Sequence, residues 1–216
     1  MSEPLTIVPL VVGPLETNAY LLADPASRVA VVVDPGAEGR RIAAEARRRG
    51  WRIRHVWLTH AHFDHIAGLA ELADALPTWP LVALHPDDVW LWRLEGGAPL
   101  FGLRLDPGPE PTVHLRHGQR LRVGAVEFEV RHAPGHTPGH VMFYAPAVGV
   151  LLAGDVIFRE SIGRTDLPQG DHDALLRSIR TQVLTLPDET RILPGHGPAT
   201  TVGHERRFNP FVAEAD

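Results

Sequence analysis

The chain has 216 residues, a formal charge of −5 and an apolar fraction of 44%; this suits a globular protein with a sizeable core and offers no concentrated basic face for nucleic acid. With no cysteine, disulfides, thiolate metal sites and cysteine nucleophiles are excluded. All 21 basic residues are arginine, which excludes lysine Schiff bases and a P-loop lysine.

The N-terminus, MSEPLTIVPLVVGP, lacks the basic start and apolar core of a secretory signal. No apolar run reaches membrane-spanning length, so a cytoplasmic protein without a membrane partner is expected. TIVPLVV, NAYLL and VAVVVD read as strands, the last ending in a turn at Asp34-Pro35-Gly36. Residues 38–50 predict an amphipathic helix closed by Gly50, with a basic last turn that complements its C-terminus. HVWLT is a further strand and 66–76 a helix; LVALH is a strand and PDDVWLWRL a helix with proline in its first turn.

Residues 95–120 are rich in glycine and proline but contain the apolar patch Pro99-Leu100-Phe101-Gly102-Leu103, which favours a loop covering a site over a plain connector. RLRVGAVEFEVRHA predicts a hairpin around Gly124, followed by strands at HVMFYA and GVLLAGD, a helix at HDALLRSIRTQVLTL and a last strand at TRIL. Strands cluster in both halves with helices between and after them, the pattern of two mixed sheets packed together and flanked by helices. No linker divides the chain, so a single domain over 1–216 is expected.

Thirteen histidines are present. His55, His85, His114, His117, His132, His140, His172 and His204 read as ordinary surface or hydrogen-bonded residues. Five others sit just after strands or in Gly/Pro turns, where side chains converge at a sheet edge. They are His60, His62 and His65 in HAHFDH, His136 in PGHTPGH and His196 in PGHG. On an extended backbone 60, 62 and 64 project to one side, and His65 follows as the chain turns. Phe63, the one apolar residue among them, is expected to face the core. With Asp64 and Asp155, the five histidines make seven ligands, too many for one four-coordinate ion but enough for two sharing a carboxylate. Imidazole and carboxylate suit zinc, iron or manganese. Asp34 reads either as a hydrogen-bond partner of a ligand histidine or as a turn aspartate.

HAHFDH, PGHTPGH, AGD and PGHG, in that order, resemble the metallo-β-lactamase superfamily. The resemblance implies an α/β fold of α+β type, an αββα sandwich with the site along one edge. It also implies that His60, His62 and His136 hold a first metal, that Asp64, His65 and His196 hold a second, and that Asp155 bridges them, with two zinc ions as the expected pair. FRESIGRTDLPQGDHDALLRSIR and PGHGPATTVGHERRFNPF are similar to short, single-domain glyoxalase II-like hydrolases. That likeness implies hydrolysis of a small-molecule thioester of the S-lactoylglutathione type by a hydroxide bridging the two metals. Asp64 would orient the hydroxide as well as bind metal. Full-length glyoxalase II enzymes carry a C-terminal helical domain that helps hold glutathione, whereas only 20 residues follow His196 here. Substrate contact is therefore expected from Arg164 and Thr165 in the SIGRTD turn, from Arg159, or from the 95–120 loop. A persulfide dioxygenase with one iron on His60, His136 and Asp155, and a lactonase, are the rival chemistries; neither a nucleic-acid substrate nor a non-catalytic binding role fits as well.

Overall fold

NAYLL and VAVVV carry apolar residues at nearly every position, and both become strands covered on both faces. In this computed structural model, which describes residues 5–212, they belong to a six-stranded mixed sheet. Its order is β1 (Thr6–Val12), β2 (Thr17–Ala23), β3 (Val29–Val33), β4 (Arg52–Trp57), β5 (Leu81–Leu84) and β6 (Val113–His114). The first three run antiparallel and the rest are parallel. Pro9 lies in β1 at the sheet edge, where a missing N–H breaks no interior ladder.

The second mixed sheet takes β7 (Arg120–Val123), β8 (Val126–His132), β9 (Val141–Ala145) and β10 (Val150–Gly154). A small hairpin of β11 (Ile157–Phe158) and β12 (Ser161–Ile162) stands apart, and β13 (Arg191–Pro194) and β14 (Thr200–Thr201) complete the sheet in the order β14-β13-β10-β9-β8-β7. β13 pairs parallel to β10. The helices are α1 (Gly39–Arg48), α2 (Phe63–Ile66), α3 (Leu69–Asp74), α4 (Val89–Arg93), α5 (His172–Ser178) and α6 (Val202–Phe208).

Side-chain alternation sorts each strand into two cores. Leu22, Val31 and Val33 point between the sheets, against Phe128, Phe143 and Leu152. Their neighbours Leu21 and Val32 point outward, under Ile42, Leu69 and Leu72 of α1 and α3. On the far side Met142, Leu151 and Ile192 are covered by Leu175, Ile179 and Val202. The layers are therefore helix, sheet, sheet, helix, the sandwich that the resemblance implies. Trp57 pins its centre, with ring centroids 5.4 Å from Phe128 and 5.2 Å from Phe143; each such aromatic pair adds about 0.5–1.5 kcal/mol beyond burial.

Three local expectations are corrected. The helix read over 66–76 is shorter: Ile66 ends α2, only Leu69–Asp74 forms α3, and between them Gly68 donates its N–H to Pro35 O at 2.8 Å. The helix from His172 ends as α-helix at Ser178 and continues as a π turn over Ile179–Val183. TRIL is not the last strand: Thr200 and Thr201 return antiparallel to it, and the Thr201 hydroxyl caps α6 by accepting from His204 N–H.

Candidate metal centre

The parallel pairs β3/β4 and β10/β13 bring four strand ends to one edge of the sandwich. β3 delivers Asp34, β4 leads into His60 and His62, β10 delivers Asp155 and β13 leads to His196. The loop between β8 and β9 adds His136. The halves are tied across this edge. Asn18 N–H and the Tyr20 hydroxyl, both on β2, donate to Gly195 O and Pro194 O at 2.7 Å each. Asn18 Nδ2 donates to Gly197 O at 2.8 Å.

The structure brings all seven candidate ligands together. Each of His60, His62 and His136 has a ligand atom within 4.8 Å of those of the other two, and the same holds for Asp64, His65 and His196. Asp155 reaches both groups: Oδ1 lies 3.3 Å from His65 Nε2, and Oδ2 lies 3.6 Å from both His136 Nε2 and His196 Nε2. A Cβ at Gly195 would collide with Asp155 Oδ1, so the turn of PGHG needs glycine for His196 and Asp155 to close on one another. Asp64 arrives differently from the extended alternation read in the sequence. His62 is extended, but Phe63 already starts α2, and Asp64 lies in its first turn.

Hydrogen bonds fix which ring nitrogens face inward. His136 Nδ1 donates to Arg164 O at 2.7 Å, and His196 Nδ1 to Leu15 O at 3.0 Å. His65 Nδ1 donates to Asp34 Oδ2 at 3.1 Å. The Thr59 hydroxyl donates to the same Oδ2 at 2.7 Å, and so receives His60 Nδ1–H at 3.0 Å. In the neutral tautomers that these bonds select, the inner Nε2 of each of these four rings carries a lone pair. Those of His60 and His136 stand 3.2 Å apart, and two lone pairs that close repel unless a cation sits among them. His65 Nε2 and Asp155 Oδ1 are buried with no hydrogen-bond partner. This donor set fits metal ions of the zinc, iron or manganese kind.

The electrostatics agree. Burial would raise Asp155, but His65, then His136 and His196, outweigh it and hold the carboxyl far below its ordinary range. Burial likewise opposes charge on His65, yet the facing Asp155 and Asp64 carboxylates hold its pKa well above the ordinary value, so that with no cation among them Nε2 takes a proton where a metal ion would sit. His60 and His62 are lowered by burial and by neighbouring imidazoles, which keeps them in the neutral form that ligates metals.

The metallo-beta-lactamase superfamily pattern matches residues 12–196. The chain belongs to the metallo-β-lactamase superfamily. It is 34% identical over 209 residues to the hydroxyacylglutathione hydrolase GloC of Haemophilus influenzae, covering 96% of this chain and 97% of the relative. Among solved structures, BLEG-1 B3 metallo-beta-lactamase superposes with a TM-score of 0.89 at 38% identity, covering 97% of this chain and 100% of the other. TTHA1623 in a di-iron-bound form does so at 0.85 and 42% identity, covering 95% and 100%.

Around this superfamily site, sequence reasoning missed two residues. His140, read as ordinary, is fully buried and stacks on His60 with centroids 4.8 Å apart; its Nε2 accepts from Asp155 N–H at 3.0 Å. Its signal was the second Gly-His of PGHTPGH. Asp88, read as part of a helix start, is also fully buried. Oδ2 accepts from Ala61 N–H and the Thr137 hydroxyl, and Oδ1 from Gly139 N–H. It thereby ties the HAHFDH loop to the PGHTPGH loop. His85 and His132, also read as ordinary, stack 4.3 Å apart beside Asp87, with His132 Nε2 donating to Pro138 O.

A cavity of about 850 Å³ opens over the centre, and Asp64, His136, Asp155 and His196 line its floor. Phe63 does not face the core. Half-buried, it lines this cavity with its ring 5.5 Å from that of Phe101. The 95–120 loop forms one wall. Arg164 also lines the cavity, exposed and paired bidentately with Asp166 at 2.7 and 2.8 Å; Thr165 and Arg159 do not line it. Among the described residues no helix is long and apolar enough to cross a membrane.

Proposed function

We propose that this chain is a binuclear metal-dependent hydrolase of small-molecule thioesters. The observation that carries the reading is the convergence of inward-facing imidazole nitrogens and ionised carboxylates at the floor of the cavity. His60, His62 and His136 would hold one ion, Asp64, His65 and His196 the other, with Asp155 between them. Divalent ions there, zinc foremost with iron and manganese as alternatives, supply Lewis acidity that lowers the pKa of water toward about 7 and polarises an acyl carbonyl.

The chain's own groups do the rest. His65 and His196 keep Asp64 ionised against the effect of burial, and the Thr17 hydroxyl steadies its Oδ2 from 3.3 Å. A carboxylate oxygen of Asp64 is then available to orient the attacking water and accept its proton. Water adds to the carbonyl carbon, the C–S bond breaks, and the acyl group leaves as a carboxylic acid. The sulfur departs as thiolate and takes up the proton; a thiol pKa of about 8.5, as in cysteine, makes a dedicated general acid unnecessary. The two walls of the cavity belong to the same unit as the metal ligands, so the reading needs no separate substrate domain.

The likeness to a hydroxyacylglutathione hydrolase supports the thioester class. The test is metal analysis together with thiol release from a thioester panel. The reading expects two ions per chain and hydrolysis that Asp155→Ala and His136→Ala abolish in folded protein. One iron per chain, with oxygen uptake on glutathione persulfide and no thioester cleavage, would replace it with the dioxygenase reading; faster cleavage of lactones than of thioesters would replace it with a lactonase.

A further inference from the structure

The cavity above the centre is apolar where a glutathione site needs charge. Leu94 at the end of α4, Leu100, Phe101 and Leu103 from the 95–120 loop, and Leu15 all line it, and each is about half exposed or more. Large hydrophobic residues gathered in this way on a surface mark a binding site, and the volume is that of a pocket for a whole organic ligand. The wall is fixed in advance. Gly96 takes a positive φ and packs where a Cβ would strike the Phe63 backbone. Glu95 closes the apolar segment 95–105 on itself by accepting from Arg104 at 2.9 Å and Leu105 N–H at 3.0 Å.

The cations at this cavity are already spoken for. Arg93, Arg104 and Arg164 line it. Arg93 pairs with Glu110 at 2.8 Å, Arg104 with Glu95 at 2.9 Å and Arg164 with Asp166 at 2.7 Å. The chain has no lysine. A glutathionyl group carries two carboxylates, and binding them through these arginines would set each beside an acid already paired to the same guanidinium. The carrier thiols of biological thioesters are polar or charged, so the half of the substrate that matches these walls is the acyl half.

Taking the centre as a thioester hydrolase, we propose that its substrate is a thioester with an extended apolar acyl group, aliphatic or aromatic, lodged against Phe63, Phe101 and Trp90 of α4, all three of which line the cavity, with the thiol half directed to solvent. S-Lactoylglutathione, polar in both halves, is then a poor substrate.

The experiment compares acetyl, butanoyl, hexanoyl and octanoyl thioesters of N-acetylcysteamine with S-lactoylglutathione on the metal-loaded protein. kcat/KM should rise about fourfold per added methylene, the ratio that about 0.8 kcal/mol per buried CH₂ gives, and octanoyl should exceed S-lactoylglutathione. Phe101→Ala should lower the octanoyl value about tenfold while metal content stays at two ions per chain. Independently of turnover, calorimetry should find the product octanoate binding at least tenfold more tightly than acetate. A flat chain-length series with S-lactoylglutathione preferred overturns the acyl assignment and leaves thioester hydrolysis standing. Equal binding of octanoate and acetate also overturns it. No cleavage of any thioester overturns both readings.

Discussion

Asp88 Oδ2 accepts the Thr137 hydroxyl at 2.7 Å, and the same oxygen accepts Ala61 N–H at 3.1 Å. One buried carboxylate thus joins the loop carrying His60 and His62 to the loop carrying His136. The three side chains assigned to the first ion keep their mutual positions through a residue that touches none of them. In Asp88→Asn the amide nitrogen must face at least one of three donors, leaving a buried group unpaired at a cost of about 1–3 kcal/mol. Affinity for the first ion should fall 10–100-fold, the usual loss when an outer support is removed. Competition with a chromophoric chelator measures it, and wild-type affinity in the variant would refute the coupling.

The same residue gives a pH dependence. Burial raises Asp88 from 3.8 to about 6 in the fold, against the lowering by its three donors. A raised acid is favoured protonated by folding, so its contribution is full below about pH 4 and lost as pH rises through about 6. In metal-stripped protein, the stability of wild type relative to Asp88→Asn should drop by about 3 kcal/mol between those limits and be constant above them. Urea unfolding at stepped pH reads it out; a difference constant from pH 4 to 7 would mean that Asp88 titrates at its ordinary value.

Asp34 supports both halves of the centre, receiving His65 Nδ1–H directly and steering His60 through Thr59. An amide whose oxygen keeps both of these donors must turn its own N–H toward Thr59 N–H, which donates to the other oxygen, Oδ1, at 2.8 Å. Asp34→Asn should therefore weaken both ions by about 10–100-fold, whereas Asp34→Glu should fail through overpacking at a buried site. Loss of only the second ion would show that the Thr59 relay carries no weight.

Most of the ligand set is legible because the ligands lie in the short segments that follow strands, Asp64 and His65 in the one-turn helix there, so that HAHFDH, AGD and PGHG mark their own places. Strand runs such as VAVVVD were equally plain, since a strand covered on both faces has no polar alternation to obscure it. Asp88 was not legible: its three partners come from two loops distant in sequence, and nothing in PDDVW distinguishes it from Asp87, which is exposed. His140 shares the Gly-His context of His136 but immediately precedes β9, and its Nε2 meets a backbone N–H rather than the open centre. Phe63 was misassigned because an apolar residue between metal ligands reads as core, when it belongs to the cavity wall. The apolar character of the 95–120 patch was visible; that the nearby arginines are already paired was not, because Glu110 and Asp166 are near neighbours only in space or across a turn.

Gly195 offers a sharper probe of the centre than any ligand, because alanine there removes no donor. Its Cβ would meet Asp155 Oδ1 and His65 Cε1. Both atoms belong to rigid, buried groups, so Asp155 must shift. Gly195→Ala should cost about 1–3 kcal/mol as an overpacked site and lower the number of bound ions below that of wild type. Metal analysis on folded variant checks it, and two ions bound at wild-type affinity would mean that Asp155 can bridge from a displaced position.

Removing metal should destabilise the fold itself, because the ligands come from both sheets and are held together by mutual attraction to the ions. Each ion present at about a hundred times its dissociation constant adds about 2.7 kcal/mol. At about 2–4 °C per kcal/mol for a chain of this size, stripping one ion should lower Tm by roughly 5–10 °C. Adding zinc, iron or manganese back singly should restore it, and the metal that restores most at equal concentration is the preferred one. Asp155→Ala supplies the control. It lacks the carboxylate that reaches both groups, so its Tm should start lower and respond little to chelator. Equal chelator shifts in wild type and Asp155→Ala would show that the bound metal lies elsewhere in the molecule, the His85–Asp87–His132 cluster being the grouping within ligand reach among the described residues that shares no residue with the centre.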